Sequence, residues 1–439
     1  MRMKPPMFFV FAMMLTASMA SDNPNARDLT LQQALQLARQ HSHRLKRAAE
    51  EQRAANAALG SARAARMPTL SFQAAAFYRD DIPSLEIAFP FGQGFTREIG
   101  SKENYQTDIR ISLPLFTGGR ISGGIGAATA TAEARRALKK AAEREVLHAT
   151  WVGYLSLYRS SQLLRTTQAS LERAQIINRD VRAMFAVGAA DSVDLLDADL
   201  ALAEAELKVK EARTARRSDE IKLAILLGLP STEEITLVSR PPHPGSAIIA
   251  HEFHTRPELE MAEAGVELNR AEVQLARASF LPHLSLYGGY SYGKPNLDIF
   301  NKAWNDYFTL GANLTWSFSL GGGQIHDTRR ARYEYQAAQR ELDRVTEDIS
   351  EQVDLMRQYL ALAGEQYATA ERRYEVAKDN YRLGSERHRS GTLSSNRLLE
   401  IETALTASEA ALESARVEFH LARFDYLLAT GSDALEKGF

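Results

Sequence analysis

Residues 105–116 read YQTDIRISLPLF. In an extended chain successive side chains point to opposite sides. Ile109, Ile111, Leu113 and Leu115 therefore share one face, and Asp108, Arg110 and Ser112 the other. Three more segments follow this period. Residues 307–318 put Leu310, Ala312, Leu314, Trp316 and Phe318 opposite Thr309, Gly311, Asn313, Thr315 and Ser317. Residues 282–292 line up Leu284, Leu286, Tyr290 and Tyr292, and residues 68–78 set Leu70, Phe72 and Tyr78 among alanines. A strand of about ten residues, apolar on one side and polar on the other, is the pattern that crosses an outer membrane.

The four segments are two copies of one unit. Leu45 meets Leu259, Ala62-Arg63-Ala64 meets Ala276-Arg277-Ala278, and Pro68-x-Leu70-Ser71 meets Pro282-x-Leu284-Ser285 at an offset of 214. Gly118-Gly119 then meets Gly321-Gly322, Gly188 meets Gly391, and Leu195-Leu196 meets Leu398-Leu399 at 203. The register slips once, between Pro68 and Gly118, so a length change of eleven residues belongs to a loop tip there. Each unit reads helix, two strands, long helix, turn, helix. The long helices, Ile121 to Phe185 and Gln324 to Arg389, contain no proline and would reach roughly 100 Å each. Apolar positions in the first are often alanine, including Ala127, Ala128, Ala130, Ala132, Ala134 and Ala137. Small side chains suit closely packed coiled-coil walls.

The organisation expected is a signal peptide over 1–20, a first repeat over 21–229 with its hairpin at 68–117 and a turn near 188, a connector over 230–255, a second repeat over 256–430 with its hairpin at 282–320 and a turn near 391, and a tail over 431–439. The leader rests on Arg2 and Lys4, the apolar run Met7 to Met14, and the small residues of Ser18-Met19-Ala20. One strand is expected in the connector, around Ile235–Val238.

Composition narrows the function. The chain has 439 residues, a formal net charge of −2 and no cysteine. Thiolate metal sites and disulfides are excluded, and no basic excess points to nucleic acid. The glycine-rich FTGGRISGGIGAA at 116–128 lacks the G-K-[ST] of a phosphate loop. His251-Glu252-Phe253-His254 lacks the spacing of a zinc protease, and His41 and His43 point apart on a helix. No catalytic residue, cofactor or metal site is expected.

Four strands cannot close a barrel, so membrane strands here require several chains in one barrel. A soluble two-hairpin domain on a helical stalk would show the same alternation. The aromatic cluster Tyr78, Tyr290, Tyr292, Trp304, Tyr307 and Phe308 and the long 79–104 connection favour the membrane reading. A periplasmic coiled-coil spacer or adaptor without channel activity is the alternative function.

The chain resembles the TolC-like outer-membrane efflux proteins. The resemblance rests on the duplication, on LTLQQALQLARQHS at 29–42, RPEL at 256–259, PTLSF and PHLSL opening the hairpins, LPLFTGGR at 113–120, and VGAADSVDLLDAD at 187–199. It implies an α+β membrane protein: a homotrimer with a twelve-stranded outer-membrane barrel in outer-membrane lipid, continued by a periplasmic helical tunnel. It also implies a periplasmic adaptor and an inner-membrane pump of RND, ABC or MFS type, in efflux or type I secretion. Departures are WSFSLGGGQ at 316–324 and SGTLSSNRLLEIE at 390–402, which lacks an acid at 397.

The stretch 188–201, GAADSVDLLDADLA, carries Asp191, Asp194, Asp197 and Asp199. Helix capping by Asp191 or Ser192 and the helix dipole account for acids at this place. In the twin, Asp194 becomes Arg397 and Asp197 becomes Glu400. The resemblance implies that both turns lie at the periplasmic tip of a trimer, so Asp194 and Arg397 are expected to link neighbouring tips, and Asp197 and Glu400 to form an acidic constriction. Gly188-Ala189 and Gly391-Thr392 are expected at the tip turns that meet the adaptor, and Gly118-Gly119 and Gly321-Gly322 at strand-to-helix turns needing unusual backbone angles.

Overall fold

The computed structural model describes residues 26–243 and 256–432, apart from 88, 93, 299 and 301. The leader, the 251–254 histidines and the tail beyond 432 lie outside the described residues. The first repeat contains β1 (Ala26–Leu29), α1 (Leu31–His41), α2 (His43–Ala64), β2 (Thr69–Tyr78), β3 (Ser84–Ile87), β4 (Phe95–Glu98), β5 (Glu103–Phe116), α3 (Arg120–Ala186) and α4 (Ser192–Leu227). Strand β6 (Glu234–Leu237) follows. The second repeat contains α5 (Pro257–Ala278), β7 (His283–Lys294), β8 (Asn305–Thr315), α6 (Gly323–Arg389) and α7 (Ser395–Ala429).

Strands β2, β5, β7 and β8 form one sheet in that order, antiparallel throughout. The register sets the four alternations in phase: Phe72 faces Ile109, Ile109 faces Tyr290, and Tyr290 faces Phe308. Leu70, Ile111, Gly288 and Leu310 make the next row. Because a strand side chain alternates strictly, one phase error would have turned a whole strand over.

The long helices α3 and α6 have 67 residues each. At 1.5 Å per residue each extends about 100 Å. Ala130, Ala132 and Ala137 are buried along α3, as close helix packing requires. The largest core cluster sits midway along α3, where Trp151, Tyr154, Leu155 and Tyr158 pack with Leu223 and Leu227 of α4 and Phe424 of α7. A smaller cluster of Ile177, Val181, Ala198 and Leu398 closes the far end, where α3, α4 and α7 meet.

Several elements differ from the sequence reading. The opening helix is two helices, because the Ser42 hydroxyl accepts from the Leu45 amide and starts α2 afresh. Strand β1 pairs in parallel with β6, so the connector strand has a partner that four residues of mixed polarity did not announce. The 79–104 connection holds its own small hairpin, β3–β4. The second hairpin ends at Thr315, and Trp316 and Phe318 continue the alternation without pairing.

Candidate functional site: the sheet face and the helical tip

The apolar side of the sheet is uncovered. Leu70 is 74% exposed, Phe308 70% and Leu310 69%. Contiguous apolar surface of this kind marks a lipid or protein contact. Asp108, Arg110, Ser112, Asn313 and Thr315 occupy the other side, by the same register. Trp304 stacks on Tyr105 and Tyr292 at 5.7 and 5.1 Å, gathering aromatic rings at the end of the sheet away from the helices. Tyr307 does not join them. It pairs with Ser291 on the polar side, because it is odd in phase with Phe308. The outer edges of the sheet, β2 and β8, have no strand beside them within the described chain.

The strand-to-helix turns are not equivalent. Gly118 and Gly119 both have positive φ, 60° and 92°, but of the second pair only Gly322 does, at 70°. The expectation of unusual angles therefore fails at Gly321. An added Cβ at Gly118 would lie 2.6 Å from Cβ of Leu281 and 3.0 Å from the Ala278 carbonyl, whereas Gly321 faces open space.

At the other end, the two tip turns share one geometry. Gly188 has φ 77° and Gly391 φ 72°. The Ala189 amide donates to the Met184 carbonyl at 2.8 Å, and the Thr392 amide to Arg387 at 2.9 Å. These bonds satisfy carbonyls that the ended helix leaves open. Asp191 caps α4, its carboxylate accepting from the Val193 and Asp194 amides at 2.8 and 2.9 Å. Asp194 returns the contact, accepting from the Asp191 amide at 3.4 Å. Asp197 lies one turn further along. Ser394 caps α7 through the Arg397 amide, and the Arg397 side chain pairs with Glu400 at 2.5 Å. Among the described residues no ion pair joins Asp194 to Arg397 within one chain, and each is engaged in its own turn.

The acids that tie the tip together are others. Asp199 accepts from Arg182 at 2.6 Å and from the Asn178 amide at 2.7 Å. The Asn178 hydrogen bond foremost, then the Arg182 charge, hold its carboxyl below the usual range. Glu402, only 7% exposed, accepts from Ser170, Arg173 and Thr406 at 2.8, 3.1 and 2.7 Å. His388 is buried beside the second turn. Its Nδ1 faces the Leu393 carbonyl at 3.0 Å, and its Nε2 has no partner. The offset of 203 that pairs Asp194 with Arg397 also pairs Asp199 with Glu402. That alignment could have found them, but their partners lie on a helix the sequence does not point to.

No group of three or more metal-ligating side chains occurs among the described residues. None of the described helices is long and apolar enough to cross a membrane.

A family model described as outer membrane efflux protein matches residues 34–229 and 252–427. The chain is an outer membrane efflux protein. The pyoverdine export outer membrane protein OpmQ of Pseudomonas putida is 25% identical over 316 residues, 68% of this chain and 65% of the relative. The OpmQ protein of Pseudomonas aeruginosa is 27% identical over 168 residues, 37% of this chain and 35% of the relative. These matches thus span between about a third and two thirds of the relatives' length. The Campylobacter jejuni CmeC outer membrane channel has the same fold, with a TM-score of 0.74, 19% identity, and coverage of 91% of this chain and 85% of that one. Outer membrane efflux proteins are channels rather than enzymes, and the family membership places this chain with the outer membrane.

Proposed function

We propose that three copies of this efflux protein close one twelve-stranded barrel and one helical tunnel, forming a passive exit duct from the periplasm to the outside. The observation that carries this reading is the four-stranded sheet with one continuous exposed apolar face and two unpaired edges. Lipid cannot satisfy those edges, so β8 of one copy must pair with β2 of the next. A C₃ ring is a closed symmetry that uses both edges. Polar residues such as Asp108, Arg110 and Asn313 then line the lumen, and the helices hang into the periplasm.

Energy comes from an inner-membrane pump of RND, ABC or MFS type, coupled through a periplasmic adaptor that meets the tip turns at Gly188-Ala189 and Gly391-Thr392. A leader over residues 1–20, cleaved near Ala20, exports the chain. The OpmQ relatives are named for pyoverdine export, which favours a small-molecule cargo in a tripartite system over a polypeptide. In the ring the two tip turns alternate around the mouth. Asp194 of one turn and Arg397 of the next restrain it, and Asp197 and Glu400 supply a ring of negative charge that favours cations.

The test is planar-bilayer conductance of the purified chain, with its mass measured in detergent. A trimer with small, cation-preferring conductance is expected, and Arg397→Ala raises that conductance. Asp194→Ala raises it too, and the double variant does no more than either single one, because both remove the same link. A chain recovered as a monomer from the soluble periplasm, without outer membrane, would sink the duct. Additive effects of the two tip variants would remove the link and leave the duct standing.

A further inference from the structure

Below the sheet, α5 and α6 leave a groove made of two adjoining hollows of about 620 and 610 Å³. The upper one is lined by Phe280, Leu281 and Ile325 together with Arg277, Arg329 and Arg332. The lower one shares Arg277 and Arg332 and adds Arg270 and several glutamines. No carboxylate lines either hollow. Among the described residues Arg277, Arg329 and Arg332 have no ion pair, whereas the adjacent Arg330 turns away to Asp327 and Glu334 at 3.7 and 3.9 Å. Unpaired guanidinium groups gathered in one groove ask for an anion with several acceptor oxygens.

The position of the groove says which anion. Trp316 extends the apolar row Phe308, Leu310, Ala312 and Leu314 past the end of β8. Its indole N–H donates to the Phe280 carbonyl at 3.0 Å, and its ring packs on Phe318 at 4.8 Å. The uncovered apolar face therefore runs through Trp316 to the upper lip of the groove, where Phe280 is 40% exposed. Arg329 and Arg332 follow roughly 9 and 14 Å below the start of α6. Apolar surface above and guanidinium below match the order of acyl chain and headgroup at a membrane boundary.

We infer that this groove binds the headgroup of an anionic phospholipid of the periplasmic leaflet, with Arg277, Arg329 and Arg332 on the phosphate and Phe280, Leu281 and Ile325 against the first methylenes. The inference rests on the sheet being the membrane segment. Its test uses the full chain in detergent, with phosphatidylglycerol and phosphatidylcholine of identical acyl chains titrated in and bound lipid counted by native mass spectrometry. The wild type retains phosphatidylglycerol in preference. Arg277→Gln, Arg329→Gln and Arg332→Gln each lower that preference about fivefold, the effect of one basic group near a lipid surface. A control with Arg340→Gln, Arg357→Gln and Arg382→Gln, arginines paired along α6 to Asp343, Asp354 and Asp379, keeps it. Equal retention of both lipids by a wild type that still conducts overturns the lipid site and spares the duct. A chain that enters no bilayer overturns both. Groove variants that lose the oligomer but keep the lipid preference assign the groove to a neighbouring chain and overturn the lipid site.

Discussion

Asp199 and Glu402, equivalent in the duplication, both end on the same helix: Asp199 on Arg182 and Glu402 on Arg173, two positions of α3 separated by nine residues. Helix α3 is thus tied to α4 within its own repeat and to α7 of the other. Their surroundings differ. The Asp199 pair is largely solvated, and the Glu402 pair is buried.

For the buried pair, Glu402→Ala leaves Arg173 without its carboxylate in a site where the Arg173 side chain is 18% exposed. Breaking such a pair costs about 3–5 kcal/mol. Glu402→Gln keeps acceptors for Ser170 and Thr406 and loses less. Chemical unfolding of the two variants gives the order, and a Glu402→Gln variant as stable as wild type would contradict the buried-charge account.

For the solvated pair, Asp199→Asn acts locally. Amide exchange over residues 178–190 is expected to quicken, with global unfolding little changed. A carboxyl held below its usual range contributes stability above the unfolded-state value, near 3.8 for aspartate, and loses it as pH falls through the lower folded value. Exchange attributable to this contact is therefore flat from pH 5 to 8, once intrinsic rates are divided out. A rise across that window would rule the pair out as its source.

His420 makes stability depend on pH below 6.5. It is 3% exposed, its Nε2 faces the Pro242 carbonyl at 2.9 Å, and burial foremost, then the charges of Arg423 and Arg416, push its pKa below 6.5. The folded chain keeps the ring neutral where the unfolded chain would protonate it. Stability is fully present above pH 6.5 and falls as pH drops through the folded value, by up to about 1.4 kcal/mol per unit. Melting between pH 7.5 and 5 checks this, and His420→Gln is expected to flatten that slope.

The paired glycines give a sharp contrast. Gly118→Ala drives a Cβ into Leu281 and the Ala278 carbonyl and also pays roughly 1–2 kcal/mol for left-handed backbone. Gly321→Ala meets nothing and stays within about 0.5 kcal/mol of wild type. Yields of folded protein in detergent separate the two, and equal tolerance would refute the close approach of α5 to this turn.

What the sequence revealed follows from the range of the interactions. The strands and the long helices were legible because alternation and proline-free, alanine-rich runs are local signals. Strand β1 was not, because Ala26–Leu29 is strand only by virtue of β6, which pairs with it from residue 234 onward. The break at Ser42 was readable in principle as a serine cap within HSHR. At the tip, Asp191 was one of two cap candidates with Ser192, and the structure takes Asp191, yet nothing local separates Asp199 from Asp197. Glu402 finds Arg173 across 229 residues, a choice made by packing. Arg397 was assigned by its twin and takes Glu400, three residues on, within its own chain.

The open sheet also imposes a timetable. Helices α3 to α7 bury their cores and satisfy their backbone within one chain, so they can fold while the chain is still in water. The sheet cannot. While β2 and β8 lack partners, it displays unpaired edges and bare leucine and phenylalanine, the combination that drives indiscriminate association. The helices can therefore settle before the sheet does, and Thr69–Tyr78 and Asn305–Thr315 are the strands most exposed to misassociation in the meantime.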